Sequence, residues 1–174
     1  SDKAHVYAFN KALEDFGFRK LTFMAVAKHF GKPKQETIKA ISGSNDEYVI
    51  NKINERHDKY LYSETKKYSR KIPGSEGVLK KLRDRYYIAV LSNCSHKNIE
   101  VILDAAGYNL ELFDLIIGND DVEKPKPWPD EIFKAENLMK VETEYMVGDS
   151  IYDIIAANKA KVKGIGVLTG HYTK

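Results

Sequence analysis

The 174-residue sequence has one cysteine, no long apolar run and little excess of either charge. A single cysteine, Cys94, excludes an intrachain disulfide and a cysteine-based metal cluster. No apolar stretch approaches the roughly 20 residues of a membrane helix, and no apolar signal segment opens the chain, so we expect a cytoplasmic protein without a membrane partner. Because 28 Lys and Arg are interspersed with 25 Asp and Glu, the charge does not indicate a nucleic-acid partner.

Residues 1–71 contain helical patterns only. Apolar residues such as Val6, Phe9 and Leu13 recur every three or four positions, which predicts a first amphipathic helix. Further on, Ser44-Asn45-Asp46-Glu47 has the form of a capping box that opens a long helix. We therefore expect a small antiparallel helical bundle as a first domain.

From Pro73 onward, short β-rich runs alternate with helical segments, which defines a second domain at residues 72–174. The predicted strands are Tyr86–Leu91, Phe113–Ile117, Tyr145–Val147 and Ile165–Leu168. The predicted helices are Ser75–Arg83, Ser95–Ala106, Asp130–Met139 and Ile151–Ala160. This alternation predicts an α/β fold with a Rossmann-like parallel sheet covered by helices on both faces.

The predicted strand at Tyr145–Val147 leads through a Gly-Asp-Ser turn into a helix. Such a helix start presents backbone N–H groups and the positive end of the helix dipole to an anion. Asp149 and Asp153 are four residues apart, so both carboxylates can approach one point above the strand end. Carboxylates beside an anion site suggest a divalent cation, for which Mg2+ is the preferred candidate.

Polar residues also follow the other predicted strands, at the sheet edge where α/β proteins bind ligands. Ser92 and Asn93 could donate hydrogen bonds to a phosphate, although Ser92 could equally just end a strand. Lys124 lies in a proline-rich segment that could hold its ammonium over the site, and the competing interpretation is a solvated side chain. Lys126 is the weaker candidate of the two lysines.

Three further residues are candidate catalytic groups. His96 and His171 could act as bases, but a histidine at a helix start or near a chain end is usually solvated. Ser150 would be the nucleophile if its Gly-Asp-Ser block were that of a serine esterase. Those enzymes carry the block at the start of the chain and an Asp-x-x-His pair at its end, which this sequence does not reproduce.

Taken in order, Ser92-Asn93, the Lys124-Pro-x-Pro segment and Gly148-Asp149-Ser150-x-x-Asp153 resemble the motifs of the haloacid dehalogenase superfamily. The similarity is to its phosphoglycolate-phosphatase-like and β-phosphoglucomutase-like members. It spans the chain, because residues 1–71 resemble the helical cap of those proteins and residues 72–174 their α/β core.

The resemblance implies a role for each of the candidate residues. Ser92 would hold the transferring phosphoryl group, with Asn93 assisting. Lys124 would stabilise charge on the nucleophile and the phosphate, Asp149 would bind Mg2+ directly, and Asp153 would support the metal. The implied enzyme is a Mg2+-dependent phosphatase that hydrolyses a small phosphorylated metabolite through an aspartyl-phosphate.

The sequence departs from the family in one respect, because it contains no Asp-x-Asp motif. In the family this motif follows the first, central strand, which we expect to be absent from the sequence as given. We therefore expect a fragment that lacks its nucleophile and has little activity. The alternative is a non-catalytic module that binds a phosphorylated ligand or a protein partner, and in either case a monomer or homodimer is expected.

Overall fold

The computed structural model describes residues 2–170 and groups them into two compact units that are interleaved along the chain. The first unit comprises the N-terminal residues through Phe30, Lys34–Tyr86 and Glu100–Leu112. The second comprises Gly31–Pro33, Tyr87–Ile99 and the residues from Phe113 onward. The predicted domain boundary after residue 71 stays a prediction.

Helices build the first unit. They are α1 (Asp2–Asp15), α2 (Phe23–Ala27), α3 (Lys34–Ser42), α4 (Glu47–Tyr68) and α5 (Ser75–Arg83). The capping box predicted at Ser44 is wrong, because the N-cap of α4 is Asp46, whose Oδ1 accepts a hydrogen bond from Tyr48 N at 2.9 Å. Ser44 Oγ instead accepts from Asp46 N at 3.1 Å. None of the described helices combines the length and apolar character needed to cross a membrane.

The apolar faces of these helices form a closed core. Helix α1 packs along α4, with α2 and α3 against the same cluster. The buried residues of this cluster are Val6, Phe9, Ala12, Leu13, Val26, Ile38, Ile50 and Ile53. Their spacing in the sequence follows the helical period, so the predicted amphipathic faces are the ones that pack.

The second unit alternates strands and helices. Its elements are β1 (Ala89–Leu91), β2 (Leu115–Ile117), α7 (Asp130–Met139), β3 (Tyr145–Gly148), α8 (Ile151–Ala160) and β4 (Lys163–Gly166). Helix α6 (His96–Ala106) begins in this unit and continues into the first. Helices α5, α7 and α8 occupy the predicted residues, whereas β1 and β2 are shorter and β4 begins two residues earlier than predicted.

The described strands form two parallel pairs. Strand β1 pairs with β2, and β3 pairs with β4. Parallel pairing joined by helices confirms the predicted α/β class. The expected cover on both faces is incomplete, because all four residues of β4 are exposed and Val147 in β3 is 58% exposed. Each pair leaves apolar strand residues in contact with solvent.

Candidate functional site

The centre of the site is the buried side chain of Lys126, which is only 5% exposed. Its Nζ donates a hydrogen bond to Leu91 O at 2.8 Å and another to Asp153 Oδ1 at 2.7 Å. Leu91 is the last residue of β1, and Asp153 lies in the first turn of α8, directly after β3. One ammonium thus joins the carboxyl ends of both strand pairs, the edge at which parallel sheets bind ligands.

Asp153 is fixed in place by the start of α8. Its Oδ2 accepts a hydrogen bond from Ser150 N at 3.1 Å, and Ser150 Oγ accepts one from Tyr152 N at 3.1 Å. This is a reciprocal capping box. Gly148 leaves room for it, because a Cβ there would lie 2.3 Å from Asp153 Oδ2. The predicted Gly-Asp-Ser turn therefore orients the carboxylate that holds Lys126.

Asn93 braces the loop that carries Lys126. Its Nδ2 donates hydrogen bonds to Gly31 O at 2.7 Å and to Lys126 O at 2.8 Å. Both amide hydrogens are therefore used within the protein, so this nitrogen is not available to a phosphate. Asn93 thus contacts backbone carbonyls in this structure, and its predicted role in substrate binding stays a prediction.

Ser92 lies directly beyond β1, as predicted. Its backbone N donates to Ile117 O at 3.1 Å, which continues the pairing of β1 with β2. Its Oγ accepts a hydrogen bond from Cys94 N at 3.2 Å. Ser92 thus follows Leu91, whose carbonyl oxygen accepts a hydrogen bond from the Lys126 ammonium. Among the described residues, the hydroxyl hydrogen of Ser92 has no acceptor and can be donated to a ligand.

The structure does not bring Lys124 to this group. Lys124 is exposed, its N donates to Asp130 Oδ2 at 3.2 Å, and its Nζ lies 5.5 Å from the ring centroid of Trp128. The reason lies in the alternation of lysine and proline, because the Lys-Pro-x-Pro pattern occurs in two overlapping frames that begin at Lys124 and at Lys126. In an extended chain, side chains two residues apart would lie on the same side. Here the backbone turns instead, with Trp128 N donating to Pro125 O at 3.1 Å, and only Lys126 reaches the site.

Asp149 follows β3 and is exposed. Its Oδ2 accepts a hydrogen bond from Thr169 Oγ1 at 3.1 Å. Mg2+ in phosphate-handling sites is bound by one or two carboxylates together with waters and phosphate oxygens, and an accessible Asp149 fits one of these positions. Asp153 fits a supporting role, because Lys126 and Ser150 already bind its two oxygens.

A complete metal site is not present in the part of the chain that the structure describes. Between residues 2 and 170, no three His, Cys, Asp or Glu side chains converge in a way that could hold a metal ion. The predicted magnesium pair of Asp149 and Asp153 stays a prediction.

Glu131, the second residue of α7, is a member of the site that the sequence pattern did not indicate. Its side chain is fully buried, and its Oε2 lies 3.8 Å from Lys126 Nζ. Burial raises the pKa of Glu131, although the ammonium and the backbone N–H of Lys126 act in the opposite direction. The available signal was an acidic residue on the side of α7 where Ile132 and Ala135 are also buried.

His96 forms a separate pair beside the loop that follows β2. Its Nδ1 lies 2.9 Å from Asp121 Oδ2, which also accepts a hydrogen bond from Gly118 N at 2.8 Å. Burial acts to raise the pKa of Asp121, but the hydrogen bonds from Gly118 and His96 hold it below its usual value. His96 is therefore engaged with Asp121, and His171 lies outside the described residues.

Comparison with other proteins places these features in a family context. The chain is 29% identical over 171 residues to a Caldanaerobacter subterraneus protein assigned to the pyrophosphatase PpaX, covering 95% of this chain and 72% of that protein. It is 33% identical over 98 residues to the phosphoglycolate phosphatase of Colwellia psychrerythraea, covering 55% of this chain and 43% of that protein. The second match therefore spans less than half of the relative's length.

A solved structure shows the same fold. A haloacid dehalogenase-like protein from Bacteroides fragilis superposes with a TM-score of 0.91 at 25% identity, covering 99% of this chain and 83% of that one. The sequence profile of the haloacid dehalogenase-like hydrolases matches residues 1–167. This chain belongs to the haloacid dehalogenase-like hydrolase family.

Proposed function

We propose that this protein is a Mg2+-dependent phosphohydrolase that acts on a small phosphorylated metabolite. The observation that carries the proposal is the buried Lys126 ammonium at the carboxyl ends of both strand pairs. Family membership supports hydrolysis, and the names of the two relatives support a phosphate substrate. A cytoplasmic location and a monomeric or dimeric state are predictions that accompany this proposal.

The charges of the site support the requirement for a divalent cation. The carboxylates of Asp149, Asp153 and Glu131 against the ammonium of Lys126 leave two net negative charges, which repel a phosphate. A bound Mg2+ would cancel them. Asp149 would hold the ion, which when bound neutralises phosphate charge and orients the ester.

The remaining residues of the site divide between binding and positioning. We assign the phosphate contacts to the Ser92 hydroxyl and to the Lys126 ammonium, in place of Lys124. Asp153 and Asn93 position Lys126. Asp153 accepts a hydrogen bond from the Lys126 ammonium, and Asn93 donates one to the Lys126 backbone carbonyl. The chain thus offers one neutral and one charged donor at the end of β1.

The proposed reaction needs a nucleophile. The resemblance implies an aspartate that forms an aspartyl-phosphate, and the sequence as given contains no Asp-x-Asp motif. The proposal therefore requires this motif from coding sequence upstream of Ser1, on a further strand. Without it, turnover should fall on the order of 10^6-fold, as it does when other enzymes lose their nucleophile.

The test uses the protein extended upstream through that motif and measures release of inorganic phosphate from p-nitrophenyl phosphate. We expect release that requires Mg2+ and is abolished by EDTA. Lys126→Met should lower kcat by about 10^2 to 10^3, the cost of removing one preorganised donor, whereas Lys124→Met should leave kcat within about twofold. Equal effects of the two substitutions, or release that does not depend on Mg2+, would contradict the proposal.

A second candidate function is a non-catalytic module that binds a phosphorylated ligand. The Ser92 hydroxyl and the Lys126 ammonium would bind a phosphate whether or not it is hydrolysed. Reading the upstream coding sequence separates the two functions, because an Asp-x-Asp within about ten codons of Ser1 supports the enzyme. A start codon at that position, together with calorimetric binding of inorganic phosphate by this chain, would support the module.

A further inference from the structure

Glu131 is a buried carboxylate that the fold satisfies only in part. Its side chain is 0% exposed, and neither carboxylate oxygen accepts a hydrogen bond of good geometry within residues 2–170, although the backbone N–H of Lys126 acts to lower its pKa. Its nearest opposite charge is Lys126 Nζ, 3.8 Å from Oε2, which is longer than a hydrogen bond. Burying an unpaired polar group is unfavourable, so Glu131 lowers the stability of the unit that contains it.

Packing alone does not explain an acidic residue at this position. The other buried side chains of α7 are those of Ile132 and Ala135, and an apolar residue at position 131 would fill the same volume without being desolvated as a charge. Residues that break the rules of core packing without a structural gain are concentrated at functional sites. The neighbour of Glu131 is the one ammonium at the centre of the proposed phosphate site.

Glu131 and Asp153 act on this ammonium together. Asp153 Oδ1 binds it at 2.7 Å, and Leu91 O binds it at 2.8 Å. Both of these partners are also tied to secondary structure, at the start of α8 and at the end of β1. The Glu131 carboxylate adds attraction from a third element, α7, so the ammonium is held from three elements rather than two.

We propose, on the basis of the proposed function, that Glu131 is a positioning residue that keeps the Lys126 ammonium in its hydrogen bond with Leu91 O. It touches no substrate and acts through Lys126. When Glu131 is replaced, the ammonium is drawn towards Asp153 and loses its contact with the end of β1. The phosphate then meets a displaced donor beside Ser92.

The first test reports on this hydrogen bond without any need for activity. The 13C resonance of the Leu91 carbonyl is measured in the protein as given, because its shift depends on the hydrogen bond that it accepts. Lys126→Met gives the reference for a lost bond. We expect Glu131→Gln and the apolar Glu131→Met to move the resonance more than halfway towards that reference, and the control Glu136→Gln to leave it unchanged.

Glu136 is a suitable control because it lies on the same helix and its Oε1 accepts from Thr143 N at 2.9 Å, a contact that does not involve Lys126. An unmoved Leu91 resonance in both Glu131 variants, with the resonance still shifted in Lys126→Met, would overturn the proposal.

The second test uses the upstream-extended protein. Glu131→Gln should lower kcat by about 10- to 100-fold with KM changed by less than about threefold, the size of effect seen when groups supporting an active site are removed. Kinetics equal to those of the unsubstituted protein would also overturn the proposal. If the unsubstituted protein hydrolyses nothing, the proposed function fails, and the Leu91 resonance alone still decides the role of Glu131.

Discussion

The helical unit and the α/β unit differ in how they use burial. The helical unit encloses an apolar cluster in which Leu13, Ile50 and Ile53 are fully buried. In the α/β unit, Val147 is 58% exposed and Ile165 is 44% exposed, although both lie in strands. Stabilisation grows with the apolar area removed from water. Leu13, Ile50 and Ile53 therefore each stabilise their unit more than Val147 and Ile165 stabilise theirs.

The two units also differ in the charge of their buried polar groups. In the helical unit, Asn10 Nδ2 donates to Leu21 O at 3.1 Å, and its Oδ1 accepts from Leu21 N at 2.8 Å. Among the described residues, the helical unit leaves neutral atoms such as Asn54 Oδ1 and Ser69 Oγ without a hydrogen bond of good geometry, whereas the α/β unit leaves the carboxylate of Glu131. Because burying a charged group costs more than burying a neutral one, the α/β unit gives up more stability at this position.

The largest expected effect compares two isoleucines. Ile53→Ala should lower the free energy of unfolding of the helical unit by about 2 to 5 kcal/mol, because it leaves a cavity in a closed core. Ile165→Ala, at a strand position already in contact with water, should cost less than about 1 kcal/mol. Urea unfolding followed through amide resonances of each unit measures both. Equal losses would contradict the difference in burial.

The next effect compares two glycines. Gly148→Ala would place a Cβ 2.3 Å from Asp153 Oδ2, so we expect a loss of about 1 to 3 kcal/mol from overpacking. Gly77 lies inside α5 with nothing within 4 Å of a built Cβ, so Gly77→Ala should stabilise by about 0.4 to 1 kcal/mol. Thermal unfolding of both variants checks the opposite signs. A stabilising Gly148→Ala would show that Asp153 is not confined by the turn.

The smallest effect is a pH dependence of the helical unit. His57 is buried, and burial lowers the pKa of both His57 and its neighbour His5, although Asp58 acts to raise them. Lys34, which donates to Asp58 Oδ1 at 2.7 Å, acts in the same direction as burial. Both histidines are therefore neutral when folded, and they take up protons on unfolding below about pH 6.5.

The free energy of unfolding of the helical unit should thus be highest above about pH 6.5 and should fall as the pH is lowered below this value. The slope is at most about 1.4 kcal/mol per pH unit for each histidine. Unfolding free energies at pH 7.5 and 5.5 measure it, and His57→Gln should reduce the slope. Greater stability at pH 5.5 than at pH 7.5 would show that the histidines are charged in the folded unit.

Much of the fold could be predicted from the sequence, because the spacing of apolar residues and the positions of turn and capping residues largely determine where the helices lie. Helices α5, α7 and α8 occupy the predicted residues, and the turn after β3 opens α8 as expected. The strands were less accurate. Strands of three or four residues carry few positions on which a period can be recognised, so their ends depend on partners distant in sequence.

The sequence predicts that polar residues gather beyond the ends of the strands. It does not predict which lysine is buried there, and it does not indicate Glu131. Lys124 and Lys126 stand in overlapping copies of one pattern, and only the tertiary contact with Asp153 distinguishes them. Glu131 was missed because an acidic residue at a helix start is usually solvated and favoured by the helix dipole. Its burial follows from the packing of α7 against β1 and β2, which no local pattern reveals.

The carboxylate of Asp153 serves two structures at once. One oxygen caps α8, and the other anchors the Lys126 ammonium. A tilt of α8, including one imposed at its far end near Ala160, would therefore be transmitted to the ammonium as a change in the position of its anchor. Surface substitutions or binding events along this helix would then alter the proposed phosphate contact of Lys126 without changing Lys126 itself.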